Sequence, residues 1–394
     1  MGAFVTKKIK VVRVVTASVV VPWHLENTLK RLPADFETCV VGQDVSAHQN
    51  AYPSVKFVDI NINRKLSILD DWRALILLCR FFLEYKPDIV HSIMHKAALL
   101  AALAGFICRV PVRINTFTSQ YWATKRGLPR VVYYVSDWIV NALNTICLTD
   151  SPSQSEFLRE HNISIGRAPL PVLVRGSLSG VDLERFDPRK LSAAADRLRT
   201  EIGLRKENFV FVFLARKERD KGAIDLLVAF SSVSKAHPNA RLLFVGPDES
   251  HGQIDAMRKS NPDIFDNVID IDRAVDNRED YFAVSDVLCL PSYKEGFGSV
   301  VIEAAALGIP TIGSNIPGLV DSIEDGETGV LFPAGDVEAL TKTMLNFVAN
   351  PEKSRNMQLS ARKRVEKYFS ADLMYQALKD VYLGLVPNDG RLNK

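Results

Sequence analysis

The stretch EGFGSVVIE (295–303) sets Glu295 and Glu303 eight positions apart across a glycine-bracketed turn, then enters an alanine-rich apolar run. Gly296 and Gly298 let the backbone come close to a ligand. The unpaired amides of a first helical turn starting near Ser299 and Val300, at the positive end of the helix dipole, suit a phosphate. Glu303, one turn inside that helix, can accept hydrogen bonds from sugar hydroxyls, and Glu295 would reach another part of the same molecule. A solvated helix residue and a plain turn residue are the simpler alternative for the two glutamates. A second cluster weighs against it. The apolar run FVFVFLA (209–215) leads straight into RKERDKG (216–222), bringing Arg216 and Lys221 to an equivalent strand end. An arginine fork with a lysine point charge supplies the fixed positive charge that a diphosphate needs to bind and to depart. Lys217, Glu218 and Arg219 between them read as residues facing water.

Such residues need a scaffold, and the chain alternates β-branched runs with helical patterns throughout. Strands are expected at 11–16, 37–42, 55–60, 88–92, 112–117 and 145–150. Helices are expected near 24–32, 70–85, 96–107, 130–143 and 153–161, the last opened by a capping box of Ser153 and Glu156. RGSLSGVDLERFDPRK (175–190) breaks the period and reads as a linker. Beyond it strands recur at 209–215, 240–246, 268–272, 286–292, 310–314 and 329–333, each followed by helical sequence. Residues 336–385 are mostly helical, with Pro351 and the stretch 368–371 as boundaries. The expectation is an α/β chain of two doubly wound, Rossmann-like parallel-sheet domains facing a cleft, residues 1–185 and 186–370. A final helix within 371–394 is expected to pack back on the first domain.

The 394 residues, 47% apolar and 24% charged, are those of a globular chain with room for two cores. The five cysteines, Cys39, Cys79, Cys108, Cys147 and Cys289, lie singly in apolar runs without CxxC or clustered histidines, as reduced core thiols do. That pattern gives metal sites and disulfides no support. Apolar runs are too short to span a membrane, the longest being AALLAALAGFIC from Ala97, and the N-terminus lacks a signal-peptide pattern. A cytoplasmic chain is expected. Net charge is +3, yet bases exceed acids 22 to 15 in residues 1–185, whereas acids exceed bases 31 to 27 in 186–394. An anionic partner would meet the first half. No GxGxxG follows an expected strand, which argues against a dinucleotide oxidoreductase.

RKERDKG, LPSYKEGFGSVVIEAAALGIPTIGSNIPGLVDSI and DGETGVLFPAGDVEAL resemble the family 4 retaining glycosyltransferases of the GT-B fold, with Glu295 and Glu303 matching their Glu-x7-Glu pattern. HSIMHKAALLAALAGF, VPVRINTFTSQYWATKRG, LTDSPSQSEFL and GSLSGVDLERF are similar, more narrowly, to bacterial enzymes that extend lipid-linked oligosaccharides for surface polysaccharide or protein glycosylation. The resemblance implies a nucleotide-diphosphate sugar donor, UDP-linked, and a membrane lipid-linked glycan acceptor, with no cofactor, metal or nucleic acid. Arg216 and Lys221 would neutralise the diphosphate, and Glu303 would bind the ribose. Glu295 and the amides of Gly296, Phe297 and Gly298 would hold the sugar, with Ser299 and Val300 completing the donor-binding set. Glu295, Arg216 and Lys221 would carry catalysis with retention, by electrostatics and position. No convincing DxD is present, since LDDWRAL (69–75) reads as a helix start with acidic first-turn residues.

The first domain departs from that family twice. TASVVVPWHLENTL lacks the glycine-rich turn after the first strand, so His24 or the region of Ser18 would take its place, unless His24 merely caps a helix. Asn115 stands where many relatives have a histidine. His91, His95 and Thr118 join His24 and Asn115 as acceptor-side candidates, with plain structural roles the alternative for the histidines. QYWATKRGLPR (120–130) mixes Tyr121 and Trp122 with Lys125, Arg126 and Arg130, the pairing of a segment resting in an anionic membrane interface; an ordinary loop with one packed tryptophan is the alternative. The localisation implied is peripheral, at the cytoplasmic face of the inner membrane. Rival readings are a nucleotide-sugar epimerase of related fold, a soluble glycosyl synthase acting on a free sugar or sugar phosphate, and a non-catalytic sugar-nucleotide sensor.

Overall fold

The computed structural model describes residues 8–62, 67–164 and 169–386. Contacts divide the chain into two compact units, Met1–Gly180 with Ala371–Lys394, and Val181–Ser370. The first unit runs β1 (Ile9–Ala17), α1 (Glu26–Leu29), α2 (Leu32–Asp35), β2 (Phe36–Gln43), β3 (Lys56–Asp59), α3 (Ile68–Tyr85), β4 (Ile89–Ile93), α4 (His95–Ile107), β5 (Val112–Phe117), α5 (Gly127–Leu143), β6 (Ile146–Thr149) and α6 (Pro152–Glu160). The second runs α7 (Pro188–Glu201), β7 (Phe209–Leu214), α8 (Ala223–Ala236), β8 (Ala240–Val245), α9 (Gln253–Ser260), β9 (Val268–Ile271), α10 (Arg278–Ala283), β10 (Val287–Leu290), α11 (Ser299–Ala306), β11 (Thr311–Ser314), α12 (Leu319–Ser322), β12 (Gly329–Phe332), α13 (Val337–Ala349) and α14 (Pro351–Tyr368). The last helix, α15 (Ala371–Leu385), returns to the first unit.

Both sheets have six strands, all parallel, in the orders β3-β2-β1-β4-β5-β6 and β12-β11-β10-β7-β8-β9. The β-branched runs form strands because both faces are covered. In the second unit, Val210, Val212 and Leu214 pack to one side of β7, and Phe211 and Phe213 to the other. In the first, Val12 and Val14 face α3 and α4, whereas Val11 and Ile9 meet Met374, Leu378 and Tyr382 of α15. The strand order reverses between β1 and β4 and again between β7 and β10. At such a crossover the flanking loops diverge to opposite faces and open a crevice beyond the carboxyl ends of the strands.

Three local expectations are corrected. Residues 24–32 do not form one helix. A wide π-type turn covers Val21–Leu25, followed by the single turns α1 and α2. Pro33, in the first turn of α2, lacks the N–H that a helix continued from α1 would need. The cap of α6 is Ser151, whose Oγ accepts from the Gln154 amide at 3.3 Å; Pro152 at the first helical position sets that boundary, and Glu156 pairs with Arg159 instead. Lys217, expected to face water, is 1% exposed. Its Nζ donates to Asp270 Oδ1 at 2.5 Å and lies 5.1 Å from the centre of the Phe244 ring.

The five cysteines are free, and α3 carries Asp70 and Asp71 in its first turn. Among the described residues no helix is long and apolar enough to cross a membrane.

Candidate functional site

The second unit's crossover is built by the loops that follow β7 and β10. Gly222, at φ +68°, ends the first loop, and a Cβ there would lie 2.0 Å from the Pro291 carbonyl oxygen of the second. Only glycine allows that approach. The Tyr293 amide donates to the Asp220 carbonyl at 2.8 Å, and Lys294 Nζ lies 3.1 Å from Asp220 Oδ2. The two loops are therefore stitched by backbone and by charge.

Across this seam Lys221 Nζ donates to Glu295 Oε1 at 2.6 Å, and the Ser292 hydroxyl donates to the same oxygen at 2.9 Å. The side chains of Lys221 and Glu295 are 20% and 11% exposed. Beyond Glu295 the chain turns into α11 through Gly298, at φ +76°, where a Cβ would press Leu319. The Phe297 side chain is buried against Phe369, ring centroids 5.3 Å apart. The amides of Phe297, Gly298, Ser299 and Val300 donate to no described residue. Successive free donors at a helix start are the kind of group that suits an anion.

Arg216 and Glu303 have other partners. Arg216 lies at the carboxyl end of β7 and is bound to Glu218 at 2.6 Å and Glu249 at 2.7 Å. Glu303, 8% exposed, accepts from Arg278 Nη2 at 2.9 Å. Reasoning from sequence missed Arg278, since nothing in DNRED (276–280) marks one arginine as facing a glutamate 25 positions on. The electrostatic pattern is a run of salt bridges along one sheet edge. A diphosphate arriving there would compete with carboxylates for cations already held in place.

The first unit's crossover is different in chemistry. No glycine follows β1; instead the π-type turn places His24 half-buried. Ser18 is tied to His48, Oγ to Nε2 at 2.9 Å. After β4, Met94 takes φ 72°, a conformation rare outside glycine, and His95 then opens α4. His95 Nδ1 lies 3.0 Å from Asp137 Oδ1, and the Trp122 indole N–H donates to Asp137 Oδ2 at 2.8 Å. Tyr133 meets the His95 ring edge-on at 4.9 Å and Tyr121 lies 5.8 Å away.

Burial separates the other first-unit expectations. His91 is 2% exposed, with Nδ1 at 2.7 Å from the Tyr382 hydroxyl and Nε2 at 2.8 Å from Thr116 Oγ1. Burial, reinforced by the Arg13 charge, holds its pKa well below the ordinary 6.5, so it is a neutral core residue and no acceptor contact. Asn115 is 1% exposed in the middle of β5 and accepts from the Ser92 hydroxyl on Oδ1 at 3.1 Å. Thr118, half-buried just past β5, receives the Gln120 side-chain amide on its carbonyl. Trp122 is fully buried, stacked on Phe157 at 5.3 Å, so it cannot rest in a membrane interface. Lys125, Arg126 and Arg130 are exposed beside it. The exposed apolar surface lies instead on α5, where Leu128, Val131, Val132, Val135 and Trp138 form a stripe, and on α3, through Ile68, Leu69, Trp72 and Ile76. The i, i+3, i+4, i+7 spacing of the α5 stripe was the signal available in the sequence.

Residues 195–364 match the family described as glycosyl transferases group 1. Over 350 residues the chain is 29% identical to the capsular polysaccharide biosynthesis glycosyltransferase CapM of Staphylococcus aureus, spanning 86% of this chain and 87% of that protein. Over 330 residues it is 24% identical to the UDP-Gal:alpha-D-GlcNAc-diphosphoundecaprenol alpha-1,3-galactosyltransferase of Escherichia coli, spanning 82% of each. A glycosyltransferase from Rickettsia africae shares the fold with a TM-score of 0.80 at 20% identity, over 97% of this chain and 100% of that one. The two doubly wound sheets are those of the GT-B class.

Proposed function

Taking residues 195–364 as a group 1 glycosyltransferase domain, we propose that this chain transfers a hexose or N-acetylhexosamine, with retention and without a metal ion, from a UDP-linked donor to a lipid-linked glycan. The observation that carries the reading is the Lys221–Glu295 pair bridging the β7 and β10 loops, next to four amides without a partner among the described residues. Lys221 and Arg216 take the diphosphate, exchanging their carboxylate partners for phosphate oxygens, while the amides from Phe297 to Val300 add neutral donors. Glu303, braced by Arg278, receives the ribose hydroxyls. Glu295, with the amides of Gly296 to Gly298, orients the sugar.

In the transfer step an acceptor oxygen bonds to the anomeric carbon on the face from which the phosphate leaves. The bond between that carbon and the β-phosphate oxygen breaks, UDP departs with the electron pair, and the acceptor's proton passes to the departing oxygen. Fixed cations stabilise the charge that develops on the leaving group, so no side chain needs to become covalently bound.

Two features support a membrane-carried acceptor. The Escherichia coli relative bears a diphosphoundecaprenol substrate in its name. The apolar stripe of α5 stands next to Lys125, Arg126 and Arg130, as interfacial helices combine apolar and basic groups. Such a chain would work at the cytoplasmic face of the membrane.

The test is to mix the chain with a panel of UDP-sugars and short lipid-diphosphate saccharides, reading UDP release and product mass. Acceptor-dependent UDP release with an added hexose is expected. Turnover of donor without acceptor, to an epimer, would overturn the proposal. Sedimentation with anionic liposomes should weaken on replacing Lys125→Glu and Arg126→Glu together; unchanged binding removes the membrane component.

A further inference from the structure

The first unit's crossover holds a histidine whose surroundings do more than fill space. His95 stands directly beyond β4, at the point where strand order reverses, and follows a residue held at φ 72°. Non-glycine residues persist there only when the surroundings impose it, and such positions concentrate at functional sites. The side chain is 15% exposed. Its Nδ1 is engaged by Asp137, whereas Nε2 has no hydrogen-bond partner among the described residues.

Asp137 is 3% exposed and receives donors on both oxygens, from Trp122 on one and His95 on the other. Trp122 can only donate, and its ring is clamped by Phe157 and Tyr134, so its N–H is fixed on Oδ2. A carboxylate at Asp137 can only accept, so a neutral His95 must carry its single proton on Nδ1. The Nε2 lone pair is then left as an acceptor at the crevice mouth, with Tyr121 and Tyr133 beside the ring.

We infer that Asp137 is a positioning residue that locks His95 as an Nδ1–H tautomer, so that Nε2 accepts a hydrogen bond from a hydroxyl of the incoming acceptor sugar other than the one that attacks. This rests on the glycosyl-transfer reading. Trp122, not a membrane contact, is the third member of the relay, because it decides which atom of residue 137 faces the imidazole.

That last point supplies a test that a structural role alone would not satisfy. In Asp137→Asn the side-chain oxygen must turn to the Trp122 N–H, since two donors cannot face each other. The amide NH2 then points at His95 Nδ1 and forces the proton to Nε2, which becomes a donor. In the double variant Asp137→Asn with Trp122→Phe the constraint is gone, and the amide can flip to offer its oxygen to Nδ1–H. Nitrogen-15 NMR of the imidazole should show Nε2 unprotonated in the natural chain, protonated in the single variant and unprotonated again in the double. Turnover with the lipid-diphosphate saccharide should fall roughly 10-fold or more in the single variant, in kcat or in acceptor KM, with the donor KM unchanged. The double variant should recover most of it.

A natural-chain spectrum with Nε2 protonated would overturn the inference without any variant having to fold. So would a folded Asp137→Asn chain that transfers as well as the original, or a double variant no better than the single. If the unmodified chain transfers to no acceptor, the glycosyl-transfer reading fails instead. Titration with an octyl glycoside then judges the site alone: movement of the His95 Nε2 resonance supports a hydroxyl-binding imidazole, and its absence refutes one.

Discussion

The two crossover points solve the same geometric problem with opposite chemistry. Between β7 and β10 the loops close through Gly222 and meet in charge, Lys221 on Glu295, beside amides with no partner among the described residues. Between β1 and β4 the turn after β1 has no glycine and opens as a π-type turn, and its partner loop ends in an imidazole held by a buried carboxylate. A crevice lined by fixed cations and amides suits a phosphate, which is already ionised and needs only neutralisation. A crevice with one oriented lone pair suits a hydroxyl, whose proton must be met by an acceptor. On the proposed reading, one architecture offers two recognition surfaces that differ in what their loops carry.

The sharpest way to break this contrast is to remove charge from the second crossover. Lys221→Met should lower donor kcat/KM by roughly 10²- to 10³-fold. Steady-state rates of UDP release would measure it, and a loss under threefold would leave the pair without a catalytic part.

Next in size is the glycine that closes the seam. Gly222→Ala forces a Cβ into the Pro291 carbonyl and should cost about 2–4 kcal/mol. Gly127 in the first unit also has positive φ, at +63°, but open space around it, so Gly127→Ala should cost only about 1 kcal/mol. Denaturant midpoints of the two variants would compare them, and equal costs would deny the seam its special packing.

The first unit should also respond to acid through His91. Its folded pKa lies well below the ordinary 6.5, so below pH 6.5 the unfolded chain takes up a proton that the folded one refuses. Stability is therefore retained above that pH and lost as pH falls, by up to about 1.4 kcal/mol per unit. Unfolding free energies from pH 7 to 5 should show this slope, and His91→Gln should flatten it. The smallest expected effect concerns α6: Ser151→Ala should cost about 1 kcal/mol and Ser153→Ala less than about half that. Thermal unfolding would rank them, and the reverse order would restore Ser153 as the cap.

Much of the scaffold was legible because its signals are local. All twelve strands lie within a few residues of the β-branched runs that announce them, and Pro351 opens α14 as its ring requires. The segment 24–32 was misread because apolar spacing suggested one helix, while Pro33, just beyond it, lacks the N–H that would continue α1 past Leu29. Trp122, Lys217 and His91 were misjudged for a common reason. A polar or amphipathic side chain in a loop or strand reads as exposed until its buried partner is known, and those partners, Asp137, Asp270 and Tyr382, lie 15, 53 and 291 positions away.

By itself the sequence determined that strands would alternate with helices, that the cations would follow β7, and that glycine and glutamate would follow β10. Those are properties of short windows, in which backbone geometry and apolar periodicity act over a few residues. Only the tertiary structure decided that β7 lies beside β10, so that Lys221 meets Glu295 across 74 positions while Glu303 goes to Arg278. It likewise decided that His95 finds Asp137, 42 positions on. Hydrogen bonds and ion pairs form where burial and strand order bring groups within about 3 Å, and no spacing along the chain encodes that distance.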